Sequence, residues 1–313
     1  MTQQQVGNPE TTDRLALAST VKIVESIQAL PAVPTQNWCD LACAALLPLG
    51  KSVMAAVMLG QIDDHGKVVR QEATGVAGAT TAQVGTNIGR IIELPSTILM
   101  DTNDPSLAGL RASMAQGKEL GWSPGALITG QAKLGMADEL GIGNWRQGTL
   151  GRRWARAAGG VEATSLSLLL GAVVLPGATT GRVLVVEIGV RERTMPGNTA
   201  LAVLEATLPS LARRAFAAVG PEPSDSTHWL TTREQTILNH LLTGKSVREI
   251  AEELGRSPHT VHDHVKALHR KLGANSRGEL IARALGHLQQ QYAEPAAEAA
   301  TESGKPSEVA KAR

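Results

Sequence analysis

The chain has 313 residues, a length that is typical of two domains rather than one. Hydrophobic residues make up 42% of it and charged residues 19%, which excludes a largely disordered protein. The 30 Lys and Arg residues balance 29 Asp and Glu residues, which excludes a molecule held on nucleic acid or anionic lipid by its net charge, so any cationic surface must be local.

The beginning of the chain predicts a cytoplasmic protein. The residues MTQQQVGNPETTD lack the basic segment and the apolar segment of a secretory signal. The longest uncharged stretch, between Glu162 and Arg182, is interrupted by Gly171, Pro176 and Gly177 and is too short in apolar residues to span a bilayer. We therefore expect no contact with a membrane.

The first predicted elements are two helices and a hairpin. The first is an amphipathic helix whose apolar side carries Leu17, Val21, Val24 and Ile27. A second helix is predicted from Asn37, as its cap, to Leu47. A strand at 53–58, a turn at 63–66 and a return strand from Val68 complete the hairpin.

The next part of the chain predicts a further pair of strands and a long helix. Residues 78–158 have weak periodicity and indicate a mixture of helices and long loops. The apolar runs 166–175 and 183–190 are typical of an antiparallel pair. A helix is predicted over 199–219, with Pro209 as a kink.

The two cysteines, Cys39 and Cys43, are four residues apart on the second predicted helix, with their sulfurs on one face. Packing as small hydrophobic residues is the favoured interpretation, with a redox or ligand role as the alternative. The wider ligand set that zinc needs is missing, so we predict neither a metal nor another cofactor.

The segment 221–228 contains two prolines and nothing to bury, which is typical of a linker. It separates a first domain, 12–220, from a second, 229–290. The remaining residues, 291–313, are low in complexity and predict a disordered tail.

The second domain contains an ordered series of helix-start signals. Three pairs fit the capping box, in which a hydroxyl and a carboxylate three residues later satisfy backbone donors: Thr231 with Glu234, Ser246 with Glu249, and Ser276 with Glu279. Ser257 followed by Pro258 marks another start, and Gly244, Gly255 and Gly273 lie where helices should end. Four short helices are predicted.

The third of these helices has two chemically different sides. Val261, Val265, Leu268 and Leu272 cluster on one side of a helical wheel, whereas the opposite side is polar and mostly basic. Residues 256–277 contain five cationic residues against Asp263 alone. A helix of this size fits the major groove of DNA, where its cations displace counterions from phosphate. The alternative is an ordinary solvated helix face.

Residues 230–280 resemble the LuxR-type helix-turn-helix domain, over about a fifth of the chain. The matching motifs are LTTRE (230–234), GKS (244–246), EIA (249–251), TV (260–261), KLG (271–273) and NSR (275–277). The resemblance implies a four-helix domain whose third helix reads the major groove of double-stranded DNA and whose fourth often forms a dimer contact. It implies that His262, Asp263 and Lys266 touch bases.

The candidate DNA-contact residues are Ser257, His259, Thr260, His262, Asp263, Lys266, Arg270, Lys271 and Arg277. The four histidines within 259–269 also raise the alternative of a metal site or a pH switch. DNA contact and packing are favoured, because no cysteine lies nearby to complete a zinc set.

The first domain resembles GAF-type or PAS-type sensory domains in its order of helix, hairpin, mixed middle, antiparallel strands and closing helix. The expected fold class is therefore an α+β sensory domain, with an antiparallel sheet and flanking helices, followed by an all-α LuxR-type domain. A small molecule is a candidate ligand of the first domain, but no residue of the sequence indicates its chemistry. His65 fits a polar turn, and the tryptophans fit core packing.

Three rival classes are less favoured. An acyl-homoserine lactone receptor should have a tyrosine and tryptophan set, but the one tyrosine is Tyr292. A phosphoacceptor receiver could use Asp63 and Asp64, but the required lysine is missing. An enzyme with a phosphate-binding loop lacks its first glycine, since Ala45 and Asn239 stand there. We predict a transcriptional regulator without catalytic residues that acts as a homodimer; a response-regulator-like protein or a signalling scaffold that does not bind DNA is the alternative.

Overall fold

A computed structural model describes residues 9–50, 53–78, 112, 132–140, 142, 145–148, 151–152, 154–155, 162–175, 181–191, 196–220 and 229–287. The predicted linker 221–228, the predicted tail 291–313 and most of the middle segment 78–158 lie outside these residues, as does Tyr292. The domain boundaries therefore stay a prediction.

The chain begins with two helices, α1 (Pro9–Gln28) and α2 (Trp38–Leu46), and a 3-10 turn at Leu47–Leu49. The predicted apolar side of α1 is wrong at two positions: Leu17 is 67% exposed and Val21 is 49% exposed. The helix buries Ile27 as predicted and Ile23, which was not predicted, because it packs on the long helix α3 (Gly197–Val219) with that side. The spacing of apolar residues in the sequence could not tell which side of α1 is buried.

Five antiparallel strands form one sheet in the order β2-β1-β5-β4-β3. Their bounds are β1 (Met54–Ile62), β2 (Val68–Gly78), β3 (Ala132–Met136), β4 (Leu166–Leu175) and β5 (Gly181–Arg191). The predicted hairpin turn joins β1 to β2, where the Asp63 carboxylate accepts hydrogen bonds from the backbone N–H groups of His65 and Lys67, both at 2.9 Å. The sheet with flanking helices confirms the predicted α+β fold.

Both faces of the sheet are covered, which explains why β4 and β5 read as continuous apolar runs. One face packs against α1, α2 and α3 through residues such as Val57, Leu169 and Val186. The other face packs against Trp145 and Trp154. Neither face of the central strands is left to solvent, so no polar alternation remains in their sequence.

Helix α2 lies directly on the backbone of β2. A Cβ atom at Gly75 would come within 2.1 Å of the Asp40 backbone nitrogen, so only glycine allows this approach. Cys39 and Cys43 are both buried as free thiols in this contact, which confirms the packing interpretation. Burial is the main cause that raises the pKa of each thiol, which disfavours the reactive thiolate form.

A buried ion pair ties the sheet to the end of α3, which runs through Pro209. The Arg182 guanidinium on β5 is fully buried and lies 3.0 Å from the Glu72 carboxylate on β2. It also donates hydrogen bonds to the carbonyl oxygens of Val219 and Gly220, at 2.7 and 2.8 Å. Arg182 thereby neutralises a buried charge and caps the helix that leads to the second domain.

The second domain consists of four helices: α4 (Thr232–Leu242), α5 (Val247–Glu253), α6 (Pro258–Leu272) and α7 (Arg277–Ala284). The boxes at Thr231 and Ser246 are complete, with the hydroxyl and the carboxylate bonded reciprocally to the backbone. At α7 the Ser276 hydroxyl accepts from Glu279 N–H, but the Glu279 carboxylate accepts from the backbone of Asn275 instead. The four predicted helices are confirmed.

The part of the chain that contains the sheet and the part that contains α4 to α7 each bury one apolar side chain in the core of the other. The segment between α1 and α2 pairs with Leu230, which donates to the Pro34 carbonyl at 2.7 Å and accepts from Gln36 N–H at 3.0 Å. Val33 is buried in the core of the helices α4 to α7, whereas Trp229 is buried in the core between the sheet and α1 to α3. Within the described residues, no helix is long and apolar enough to cross a membrane.

We expect Arg182→Met to lower the free energy of unfolding by about 3 to 5 kcal/mol, because Glu72 would stay buried without its cation. Chemical denaturation measures this. Arg213→Met, at an exposed position of α3, is the matched control and should have little effect. Equal effects of the two substitutions would show that the Arg182 pair is not structurally important.

Candidate nucleic-acid interface

The start of α6 is fixed by local hydrogen bonds. The Ser257 hydroxyl accepts from Thr260 N–H at 3.1 Å, and Pro258 occupies the first helical position, where its missing N–H costs nothing. The preceding turn places Gly255 at φ 58°, a left-handed conformation that favours glycine. This short turn sets α6 at a fixed angle after α5, as in a helix-turn-helix.

One side of α6 anchors it to the other helices. Val261, Leu268 and Leu272 are buried in a core with residues of α4 and α5, among them Leu238 and Ile250. Val265 packs partly buried against the same core. The predicted apolar side of α6 is therefore the buried one, and the opposite side must face outward.

The outward side carries most of the predicted DNA-contact residues. Those that the structure leaves exposed together on or beside α6 are Ser257, His259, Thr260, His262, Asp263, Lys266 and Arg270. Asp263 lies between two cationic or protonatable neighbours, with His259 Nε2 at 3.6 Å and Lys266 Nζ at 3.9 Å from its carboxylate. The Lys266 side chain is 66% exposed and free to reach a ligand.

Lys271 points away from this surface. Its ammonium group donates hydrogen bonds to the Glu234 carboxylate at 2.8 Å and to the Trp229 carbonyl at 2.9 Å, and its side chain is only 14% exposed. Burial of Glu234 by itself raises the pKa of that carboxyl, but the hydrogen bonds from Lys271 and Thr231 outweigh burial and leave the pKa lowered. Lys271 thus joins the end of α6 to the start of α4.

Arg277 has a mixed position. It is exposed, yet its guanidinium donates to the carbonyl of Lys245 at 2.8 Å, near the end of α4. Arg256, which our candidate residues omitted although it was among the cations of residues 256–277, is exposed in the turn before α6. The position of Arg256 between the two helices of the helix-turn-helix could have identified it as a candidate DNA-contact residue.

The histidines do not form a metal centre in the described part of the chain. His269 Nδ1 lies 2.8 Å from the Ala274 carbonyl, and His264 is half-buried, so these two histidines do not join His259 and His262 on the exposed side of α6. No group of three or more His, Cys, Asp or Glu side chains among the described residues could hold a metal ion.

Comparison with known proteins decides the family. Residues 228–284 match the family model GerE, described as bacterial regulatory proteins of the luxR family. The transcriptional regulatory protein MctR of Rhizobium johnstonii is 30% identical over 220 residues, which cover 69% of this chain and 82% of MctR. This chain belongs to the LuxR family of bacterial regulatory proteins.

Similarities to other known proteins are shorter or more distant. The transcriptional regulatory protein UhpA of Escherichia coli K12 is 48% identical over 54 residues, which cover 17% of this chain and 28% of UhpA. A crystal structure of Escherichia coli SdiA, with 17% identity, covers 86% of this chain and 97% of that one, but its TM-score of 0.29 supports no detailed comparison. The predicted transcriptional regulator with a LuxR-type DNA-binding domain is confirmed by the family.

We expect Lys271→Met to lower the free energy of unfolding of this LuxR-family protein by about 1 to 3 kcal/mol, because the buried Glu234 carboxylate would lose a charged donor. Arg270→Met, at the exposed neighbouring position, is the control and should leave stability nearly unchanged. Denaturation of both variants tests this.

The pH dependence gives a second test of the same pair. The pKa of Glu234 is lowered on folding, so its stabilising contribution is complete at neutral pH and is lost as the pH falls through the lowered pKa. The stability difference between wild type and Lys271→Met should therefore shrink in acid. A difference that is constant with pH would exclude the ion pair as its cause.

Proposed function

We propose that α6 enters the major groove of operator DNA, that the protein acts there as a homodimer, and that the first domain controls this binding. The observation that carries the proposal is the division of α6 into a buried apolar side and an exposed polar side with two cations. A helix held in this way presents the same few side chains to every DNA molecule, as sequence recognition requires.

The exposed residues divide by the chemistry they offer. Lys266 and Asp263 lie mid-helix, where a lysine can donate to guanine acceptors and a carboxylate can accept from a cytosine amine. Arg270 and Arg256 lie nearer the two ends and suit phosphate oxygens on either side of the groove. The proposed contact set also includes Ser257, His259, Thr260, His262 and Arg277. It omits Lys271, whose ammonium group is engaged within the protein.

The LuxR resemblance supports the proposed homodimer, because the fourth helix of that domain often forms a dimer contact. Two copies related by a two-fold axis would place two α6 helices on successive turns of DNA and select symmetric half-sites. Selection from random oligonucleotides tests this: two inverted half-sites support the dimer, a single half-site supports a monomer, and no enriched sequence contradicts specific DNA binding.

We expect Lys266→Ala to weaken binding to the selected operator by about 1 to 3 kcal/mol and to relax the base preference at one position. Arg270→Ala should instead weaken binding to all sequences and reduce the salt dependence by about one phosphate contact. Fluorescence anisotropy over a salt series measures both. Arg213→Ala, an exposed cation of α3, is the control. If a variant with both Lys266→Ala and Arg270→Ala binds the operator like wild type, α6 is not the helix that recognises the operator.

Control by the first domain is supported by the contacts between the two parts of the chain. Val33 and Trp229 each lie in the core of the other part, and Arg182 connects the sheet to the end of α3. A displacement of the sheet or of α1 and α2 would therefore be transmitted to residue 230, at the start of the DNA-binding helices. We propose that this contact restrains the DNA-binding helices.

We expect Val33→Ala to raise operator affinity by weakening this restraint, because removing buried methyl groups costs about 1 to 3 kcal/mol in the contact. Coupling free energies of about that size link sites in regulated proteins. Operator titrations at matched concentration measure the change. Val69→Ala, at an exposed valine of β2, is the control. An unchanged or lower affinity would contradict the restraint.

A further inference from the structure

Glu187 is a buried acid without a partner among the described residues. It lies in the middle of β5 on the face of the sheet opposite α1 to α3, between Ala56 of β1 and Leu170 of β4. Its side chain is fully buried, and neither carboxylate oxygen has a hydrogen-bond partner in the described part of the chain. Glu72, the other buried glutamate of this sheet, is paired with Arg182, so the fold has the means to satisfy such a group.

Within the described residues, the two strands that flank Glu187 offer it no charge. The flanking strands β1 and β4 contain no charged residue. Charged residues that the structure describes on this side of the sheet include Asp138, Glu139, Arg146, Arg152 and Arg191, of which Asp138 and Arg146 pair with each other. Burial alone raises the pKa of Glu187 well above its ordinary value. At a purely structural position, burying an apolar residue or a glutamine would cost less free energy than burying a glutamate.

A second buried polar group without a partner among the described residues lies on the same face of the sheet. Trp154 covers the backbone of Gly189, two residues along the same face of β5, so closely that a Cβ atom there would lie 2.6 Å from its ring. Its indole N–H is buried and has no acceptor among the described residues. By contrast, Trp145 in the same cluster donates to the Asp138 carboxylate at 3.0 Å.

We propose that Glu187 and Trp154 form the polar end of a buried site for a small organic amine. The ammonium group of the ligand would pair with the Glu187 carboxylate, and a hydroxyl or carbonyl oxygen of the ligand would accept from the Trp154 indole N–H. Met54, Met58 and Val185 on the same face suit an apolar body, and an aromatic ring next to the acid favours a cation. Amine binding does not depend on DNA; only its role in regulation rests on the proposed function.

Protons balance in this scheme. In the empty protein burial raises the pKa of Glu187 and so favours its protonated form. An amine arrives as the ammonium ion and stays so, and the Glu187 proton passes to solvent as the ion pair forms. Binding should therefore release protons, which a neutral ligand of the same shape would not do.

Calorimetry and thermal denaturation of the full chain test the site with phenethylamine and cyclohexylamine, each against its alcohol isostere, 2-phenylethanol or cyclohexanol. At least one amine should raise the melting temperature and release a proton, whereas its isostere should bind at least about tenfold more weakly. Glu187→Gln should weaken amine binding at least about tenfold. Glu205→Gln, at an exposed position of α3, is the control and should bind like wild type.

Trp154→Phe separates the second contact from the first. The added hydroxyl of phenylethanolamine should improve binding over phenethylamine in the wild type but not in this variant, because only the wild type has the indole N–H. No binding of any amine, equal binding of an isostere, or unchanged binding by Glu187→Gln would overturn the proposal. Operator binding is measured separately, so loss of amine binding with intact operator binding overturns only this inference.

The empty protein supplies a ligand-free readout. Because the pKa of Glu187 is raised on folding, its contribution to stability is complete below the ordinary glutamate pKa and is lost as the pH rises through the raised one. Glu187→Gln should therefore raise the melting temperature more at pH 8 than at pH 5. A gain that does not depend on pH would show that Glu187 is not the buried ionisable group required here.

Discussion

The burial of Val261, Leu268 and Leu272 is the constraint on which the proposed DNA-binding surface depends. These three side chains lock the rotation of α6 about its own axis, so His262, Asp263 and Lys266 must point outward together. Lys271 adds a polar anchor at the end of the helix by reaching the capping box of α4. Affinity for phosphate needs only positive charge, but recognition of bases needs this fixed orientation.

Local sequence signals were sufficient for the helical part of the protein. Each helix start there is a hydroxyl and a carboxylate three residues apart, or a hydroxyl before proline, and such contacts form within one turn. The remaining features depend on residues far apart in the chain. Lys271 meets Glu234, 37 residues earlier, and the apolar pattern of α1 did not tell which stripe meets α3. The α+β class was predictable, whereas the partner of each charge was not.

Strand β5 links the two proposed functions of the first domain. At its beginning Arg182 holds the Val219 carbonyl, at the end of the helix that leads to the DNA-binding part. At its middle Glu187 faces the opposite side of the sheet, next to Trp154. Because a strand transmits displacement along its length, a ligand that pulled on Glu187 would act on the same element that fixes the end of α3.

The burial of Val33 and Trp229 in each other's part of the chain limits which segment can be fused to another protein, in evolution or by engineering. A fusion that joined residues 229–287 to an unrelated input module would leave Trp229 without its pocket and the helices without Val33. The smallest portable unit is therefore larger than the stretch that matches the family model, since it includes the short segment before α2. Recombination among such regulators should favour crossovers that keep both pieces together.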